Sequence, residues 1–466
     1  MKRHALLHAM FWLKAFVAML MGLFCLMWFA WRIYDLHSRA SPTFYTGLQA
    51  VTNAFLPNGT VNPTCYHNTS SGLARLEPAI TSALTLGFSL DWSYDTPTTI
   101  VDKLNGYKPL VFNTFMDFDT SIPGYFSASL LNWFGSECGR TGAMLELTIQ
   151  PTAVPISLYQ QVHFDTLSAA LYQINSRYGV PILLRFGHEM NGPWNTWSFD
   201  PIGYPELFRN MTLSVRKHTN MTAMVWGPNI GFGYPFNNSG STTPPTNKSD
   251  PRFALLDTNG DGVINEYDDP YGPYYPGDDY VDWVALSLYY YPPDETHNHD
   301  IAPGFFDAYL TGIGYNQANG NQWWELYYNF YARFCGPNGH GKPMMLPETG
   351  APYLYNETYL ANGEVSTVPG PTATWPGDPL AVSAVTIRQE WYDSLFNQTV
   401  LSIYPKLKLV VNFEEEKILS NYWRDWRLTN DSTQLAAFQQ IITGFQKQLP
   451  SATSFTFGCD GTVMLT

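Results

Sequence analysis

Eight short apolar runs, rich in β-branched and aromatic residues, constrain this chain more than any other feature. They are Leu84–Trp92, Pro109–Phe118, Ala143–Gln150, Pro181–Glu189, Thr222–Asn229, Val281–Tyr290, Pro343–Glu348 and Leu407–Phe413. Nearly continuous apolar strands belong to a parallel sheet that is covered on both faces. Helical patterns lie between several of them, at Leu158–Tyr178, Pro205–Lys217, Gln322–Phe334 and Ser383–Leu395. Eight such alternations within one length of chain predict an α/β fold, a single (β/α)8 TIM barrel with long loops. The Pro-rich patches 241–251 and 366–380 read as two of those loops. No linker divides the chain into two cores, so the barrel domain is expected over residues 76–466.

The first 75 residues have a different character. Ala15 to Trp31 carries no charged side chain, and Lys14 and Arg32 flank it. An apolar run of this length approaches what a bilayer needs, and flanking cations can snorkel to the headgroups. Residues 1–14 then form a cytoplasmic tail, 15–31 a transmembrane signal anchor or a cleaved signal peptide, and 32–75 a stem. Either alternative sends the barrel across a membrane, so it is luminal or extracellular, or secreted if the segment is cleaved. Glycosylation acceptors at Asn58, Asn68, Asn210, Asn220, Asn237, Asn247, Asn356, Asn397 and Asn430 agree with that compartment. So do Cys65, Cys138, Cys335 and Cys459, an even set outside the apolar run that could form two disulfides in any of three pairings. The net charge of −14 argues against nucleic acid, which demands a basic face. A monomer is expected.

In a barrel of this type chemistry gathers where strands end and loops begin. Two carboxylates stand out there: Glu189, closing the fourth run in Leu184-Arg185-Phe186-Gly187-His188-Glu189, and Glu348, closing the seventh in Met345-Leu346-Pro347-Glu348. Strands four and seven face each other across the barrel mouth. Two glutamates reaching inward could flank one glycosidic bond, one protonated and one ionised. Spacing alone leaves open whether they act with retention or inversion, and equally whether they are unrelated rim carboxylates paired with Arg or Lys. Arg185 could orient or balance them. Trp194, Trp197, Trp226 and Trp92 lie near strand ends and could stack on sugar faces, with Trp194 and Trp226 the leading candidates. Asp117 and Asp119 could bind sugar hydroxyls or serve as ordinary turn residues.

The run Arg185-Phe186-Gly187-His188-Glu189-Met190-Asn191-Gly192 with Trp194 resembles glycoside hydrolase family 26, a clan A family of β-mannanase-like (β/α)8 retaining glycosidases. The resemblance covers roughly residues 80–430 by strand order, and the strand-four motif is its specific part. It implies catalytic roles for Glu189 as acid/base, Glu348 as nucleophile and His188 beside them. It also implies a tyrosine on strand six that binds the nucleophile, Tyr289 first and Tyr290 second. Pro347 departs from the family pattern and points to a distant branch. The implied activity is cleavage of a β-linked polysaccharide, most closely an endo-β-1,4-mannanase. A carbohydrate-binding barrel without catalysis and a wall transglycosylase are the alternatives.

Asp257 to Asp268 follows the spacing of an EF-hand calcium loop. Asp257, Asn259, Asp261, the Val263 carbonyl, Asn265 and Asp268 would be the ligands of a structural Ca2+, with Gly262 at the sharp turn; a tight Asx-rich turn is the alternative. No cofactor is expected for catalysis, and no phosphate loop, nucleophile elbow or zinc pattern occurs.

Overall fold

A computed structural model describes residues 76–78, 84–236, 240–290, 298–316, 322–325, 329–359, 365–369, 382–419, 422–445, 450–452, 455–457 and 463–465. The apolar run 15–31 lies outside these residues, as do Cys65, Cys459 and the acceptors Asn58, Asn68 and Asn237. Among the described residues no helix is long and apolar enough to cross a membrane.

All eight expected strands form, and they close on one another. They are β1 (Thr85–Leu90), β2 (Val111–Phe118), β3 (Met144–Pro151), β4 (Ile182–Phe186), β5 (Thr222–Trp226), β6 (Trp283–Ala285), β7 (Met344–Thr349) and β8 (Leu407–Glu414). Each pairs in parallel with its sequence neighbours, and β1 pairs with β8 to complete the barrel. Helices Gln161–Tyr178, Gly203–His218 and Ala384–Leu395 match the periodic segments to within a few residues. The segment Gln322–Phe334 does not form the expected single helix. Gln322–Glu325 is instead a strand paired with Ile313–Asn316, and only Phe330–Phe334 is helical, capped by the Asn329 side chain. Its aromatic run, with Trp323, Trp324, Tyr327 and Tyr328, suits a strand as well as a helix.

The barrel interior changes from apolar to polar along its axis. Val111, Met144, Leu183, Ala223, Trp283, Met345 and Leu409 belong to one buried cluster. Leu76 and the paired strands Phe455–Phe457 and Val463–Leu465 join that cluster from below. Further along the same strands Ser89, Asn113, Glu146, Thr148 and Arg185 replace the hydrocarbon, all buried. The chain segments that follow β7 and β8 form an antiparallel sheet in the order Val365–Pro369, Tyr353–Tyr359, Tyr422–Asp425, Glu416–Leu419. Part of the expected loop 366–380 is therefore strand, and 370–381 lies outside the described residues.

The expectation of two disulfides is corrected. Cys138 and Cys335 are free and buried. Cys138 sits on the helix Ala128–Thr141 between β2 and β3, whereas Cys335 ends the helix before β7. The strand order puts these helices on opposite sides of the barrel. Burial holds both thiols well above their ordinary pKa, as for inert core cysteines.

Candidate active site

Arg185 is the centre of the polar layer. It points inward from β4 and is fully buried. Its Nη1 donates to Glu348 Oε1, and its Nη2 donates to Ser287 Oγ at 2.5 Å. Gly227, just past β5, makes room: a Cβ there would stand 2.9 Å from Arg185 Nε. The Tyr289 hydroxyl donates to the other Glu348 oxygen at 2.9 Å. The side chains of Ser287 and Trp194 stand beside the Glu189 carboxyl and favour its ionised form. Hydrogen bonds thus run from Tyr289 through Glu348 and Arg185 to Ser287, with Glu189 beside Ser287, and the cluster brings together the two carboxylates expected from the strand ends.

Local backbone irregularity aims both glutamates. Glu189 lies past the end of β4 with φ of 51°, a left-handed conformation that costs a non-glycine residue free energy. Its N–H donates to Gly227 O at 2.8 Å, which ties the turn to β5. On β7, Met345 faces the apolar interior, so strict alternation would turn Glu348 outward. The register slips there: Val410 pairs with Leu346 but Asn412 pairs with Thr349. This bulge carries Pro347, which has no N–H to offer a central strand, and returns Glu348 to the interior. Pro347 thus coincides with the feature that orients its neighbour.

The two carboxyls are driven apart in acidity. Burial raises Glu189, the Glu348 charge raises it further, and it reaches about 7. Burial also raises Glu348, but the Arg185 charge and the bonds from Arg185 and Tyr289 outweigh it and hold it below the ordinary carboxylate value. Near pH 6 the pair is one acid and one anion, the division of labour that acid-assisted displacement needs.

Not every expected site residue joins them. His188 is buried between the rings of Phe115 and Trp197, at 5.6 and 5.7 Å. Burial first, then the Arg185 charge, lowers its pKa to about 3, so it is a neutral imidazole in the working range and has no imidazolium proton to give. Its carbonyl accepts bonds from Trp197 Nε1 and Asn195 Nδ2, and the motif's Asn191 clamps Asn229. Trp194 is 40% exposed and stands beside Phe236, available to a ligand.

Trp226 is corrected: it is fully buried on the outer face of β5 against Tyr275, Phe330 and Phe334, away from the site. Tyr290 is corrected as well. It packs on Phe305, and its hydroxyl donates to the carbonyls of His299 and Asp300, so Tyr289 alone serves Glu348. Trp197 is buried, and Trp92 packs on Trp133 and Phe134 while donating to Asn113 O. Asp117 is exposed on β2. Asp119 closes its own turn, accepting from Ser121 N at 2.7 Å.

Sequence reasoning missed Ser287, Glu146 and Trp426. Ser287 and Tyr289 are polar residues two apart in an apolar run, the spacing of one strand face. Glu146 interrupts an apolar strand in the same way. Trp426 packs on Tyr289 and Phe413 from a loop with no pattern to mark it. Glu414, a further acid at a strand end, is occupied by Asn412, Leu428 and Thr429.

Asp257–Asp268 forms a chain of Asx turns. Gly262 has φ of 87° and donates to Asp257 Oδ2, Val263 N donates to Asp261 Oδ1, and Asn265 N donates to Asp268 Oδ2. Asp257 Oδ1 is buried without a partner among the described residues. Among them, no three acidic, His or Cys side chains converge tightly enough to hold an ion.

No family model matches the chain, and no curated protein matches it. Solved structures do align with it. An endo-β-1,4-mannanase double mutant from Cellulomonas fimi aligns over 84% of this chain and 78% of its own, at 17% identity and a TM-score of 0.48. A family 26 β-mannanase from Bacteroides ovatus aligns over 80% of this chain and 91% of its own, at 16% identity and a TM-score of 0.43. A β-glucosidase from Thermotoga maritima aligns over 81% and 98%, at 9% identity and a TM-score of 0.38.

Proposed function

We propose that the chain is a retaining glycoside hydrolase acting on a β-linked polysaccharide, with β-1,4-mannan the first polymer to test. The observation that carries this reading is the Glu348–Arg185–Ser287–Glu189 cluster, in which one carboxyl is held ionised and the other protonated at the barrel mouth. A protein that only bound sugar would gain nothing from that division. Glu348 attacks the anomeric carbon as the glycosidic C–O bond breaks, and Glu189 gives its proton to the departing oxygen. Water then returns a proton to Glu189 and attacks the same carbon, freeing Glu348. Arg185 and Tyr289 keep the nucleophile ionised and oriented, and Trp194 offers a face for sugar stacking. The test is turnover on soluble mannan, xylan and mixed-linkage β-glucan, followed by reducing-end assay and by NMR of the anomer first formed. Release of the retained anomer is expected. Polymer binding with no turnover on any of the three would favour the lectin-like alternative, and chain-length redistribution without net reducing ends would favour transglycosylation.

A membrane-linked or secreted, glycosylated setting belongs to the same proposal and rests on the N-terminal apolar run and the acceptors. Asn247 and Asn430 are exposed, but Asn397 caps a helix through its own side chain and is a poorer acceptor.

Calcium at Asp257–Asp268 is a separate proposal, supported by the ligand spacing, the Gly262 turn and the unpartnered Asp257 oxygen. The donors are all oxygen, which suits a hard cation. Binding would turn Asp261 and Asp268 from the backbone donors they now hold. Millimolar Ca2+ is expected to raise Tm by several degrees over a chelated sample, an effect that D257N removes; equal melting with and without the ion would dismiss it.

A further inference from the structure

Glu146 has no part in the chemistry described so far, yet it occupies the barrel axis directly beneath it. On β3 it pairs in register with Asn113 of β2 and Leu183 of β4, while Thr148 pairs with Arg185. It therefore stands one inward-facing position closer to the barrel floor than the guanidinium. It is wholly buried, and neither carboxyl oxygen has a hydrogen-bond partner among the described residues. The groups that face it are Arg185 from β4, Glu348 from β7 and Asn113 from β2. The terminal nitrogens of Arg185 are engaged by Glu348 and Ser287, and Asn113 donates to Thr148 at 2.9 Å and accepts from Ser89. Neither Arg185 Nε nor the second Asn113 Nδ2–H closes a hydrogen bond to a Glu146 oxygen, so an anion there would go uncompensated by any hydrogen bond in this arrangement, and a buried carboxyl so placed keeps its proton. Two carboxyls, Glu146 and Glu348, thus share one cation, which only one of them can hold.

We propose that Glu146 is a positioning residue that works as a neutral acid: while protonated it leaves Arg185 wholly to Glu348, and its ionisation draws the guanidinium down and disarms the nucleophile at alkaline pH. The inference rests on the reading of Glu348 as nucleophile. Burial pushes Glu146 up, Arg185 pulls it down, Glu348 pushes it up again and the nearby Asn113 amide lowers it slightly, leaving it at about 8. An unfolded glutamate titrates near ~4.3, so the folded chain holds a proton that the unfolded chain has lost between these values. Stability contributed by this group is therefore full at pH 4 and declines as pH rises to about 8.

The experiment uses the full chain and a 2-deoxy-2-fluoro-β-mannosyl donor with a dinitrophenolate leaving group, which departs without a proton from Glu189. Labelling of Glu348 is followed by mass spectrometry from pH 5 to about 9.5, each chain normalised to its own rate near pH 6. Wild type is expected to lose labelling about tenfold per pH unit above its Glu146 titration, whereas E146Q, which cannot ionise there, holds its rate at least one unit further. E146Q should also gain several degrees in Tm over wild type at pH 8 relative to pH 5. Coincident alkaline limbs in the two chains would overturn the proposal. A second measurement does not depend on that variant folding or on the glycosidase reading. In the E189Q background, the infrared spectrum at pH 7 should contain a buried carboxylic C=O band that bleaches on going to pH 9. Absence of the band at pH 7 overturns the inference by itself. Failure to label either chain at any pH overturns the positioning role together with the nucleophile assignment, and the band then tells whether Glu146 still carries its proton.

Discussion

Alanine or glutamine at Glu348 is expected to take polymer hydrolysis to background, a loss on the order of 10⁴-fold or more, because no other group can form the glycosyl-enzyme. Nearby acids cannot substitute. Glu189 stands past the end of β4 on the Ser287 side of Arg185 and not at the Glu348 position, Glu414 is bound by Asn412, Leu428 and Thr429, and Glu146 lies beneath the layer. The same substitutions test the electrostatics of the core. Removing one partner of a buried ion pair typically costs about 3–5 kcal/mol, since the other charge is left uncompensated. Arg185 is fully buried and would be that charge. Glu146 can relieve it: without Glu348 its repulsion is gone, and it can ionise in place. E348A should accordingly melt closer to wild type than the isolated-pair figure implies, and the double variant E348A/E146Q should lose more stability than the two single losses together. Urea denaturation of the four chains at pH 7 measures the coupling. Additive losses would show that Glu146 does not take up the charge, and polymer hydrolysis surviving in E348A would dismiss Glu348 as the nucleophile.

The strands were legible because a parallel barrel strand has no solvent face, so its residues must be apolar almost without interruption. The two glutamates were legible for the same reason, as charges where such a strand should have none. Direction was not. Trp226 and Tyr290 both stand near strand ends, but which face a residue takes depends on register and on where the strand stops, and both turned into the outer layer. Glu348 shows the converse: alternation from Met345 would send it outward, and only the slip at Pro347 brings it in. Ser287 was concealed by its chemistry, since one hydroxyl in an apolar run is an ordinary core residue until a guanidinium is placed against it. The segment 322–334 misled because its aromatics satisfy both periods, and pairing with Ile313–Asn316 decided between them.

Replacing Glu189 by alanine is expected to slow polymer cleavage by roughly 10²–10⁴-fold, the usual contribution of a positioned acid. The loss should depend on the leaving group, because only an alkoxide needs the proton. With a dinitrophenyl glycoside the first step should proceed in E189A at near wild-type rate, giving a burst of phenolate before a slow steady state limited by unassisted attack of water. Azide, which needs no general base, should then restore turnover and yield a glycosyl azide of retained configuration. The pH profile supplies an independent check. Wild-type kcat/KM should fall with rising pH as Glu189 loses its proton at about 7, tenfold per unit beyond it. The acid limb should lie below the ordinary carboxylate range, because the Arg185 charge outweighs burial and keeps Glu348 ionised there. E189A must lose the limb at about 7 and keep the acid one. A profile in which the limb near neutrality persists without Glu189, or an E189A chain that cuts polymer and activated glycoside with equal loss, would assign the proton to another group and leave Glu189 a structural member of the cluster.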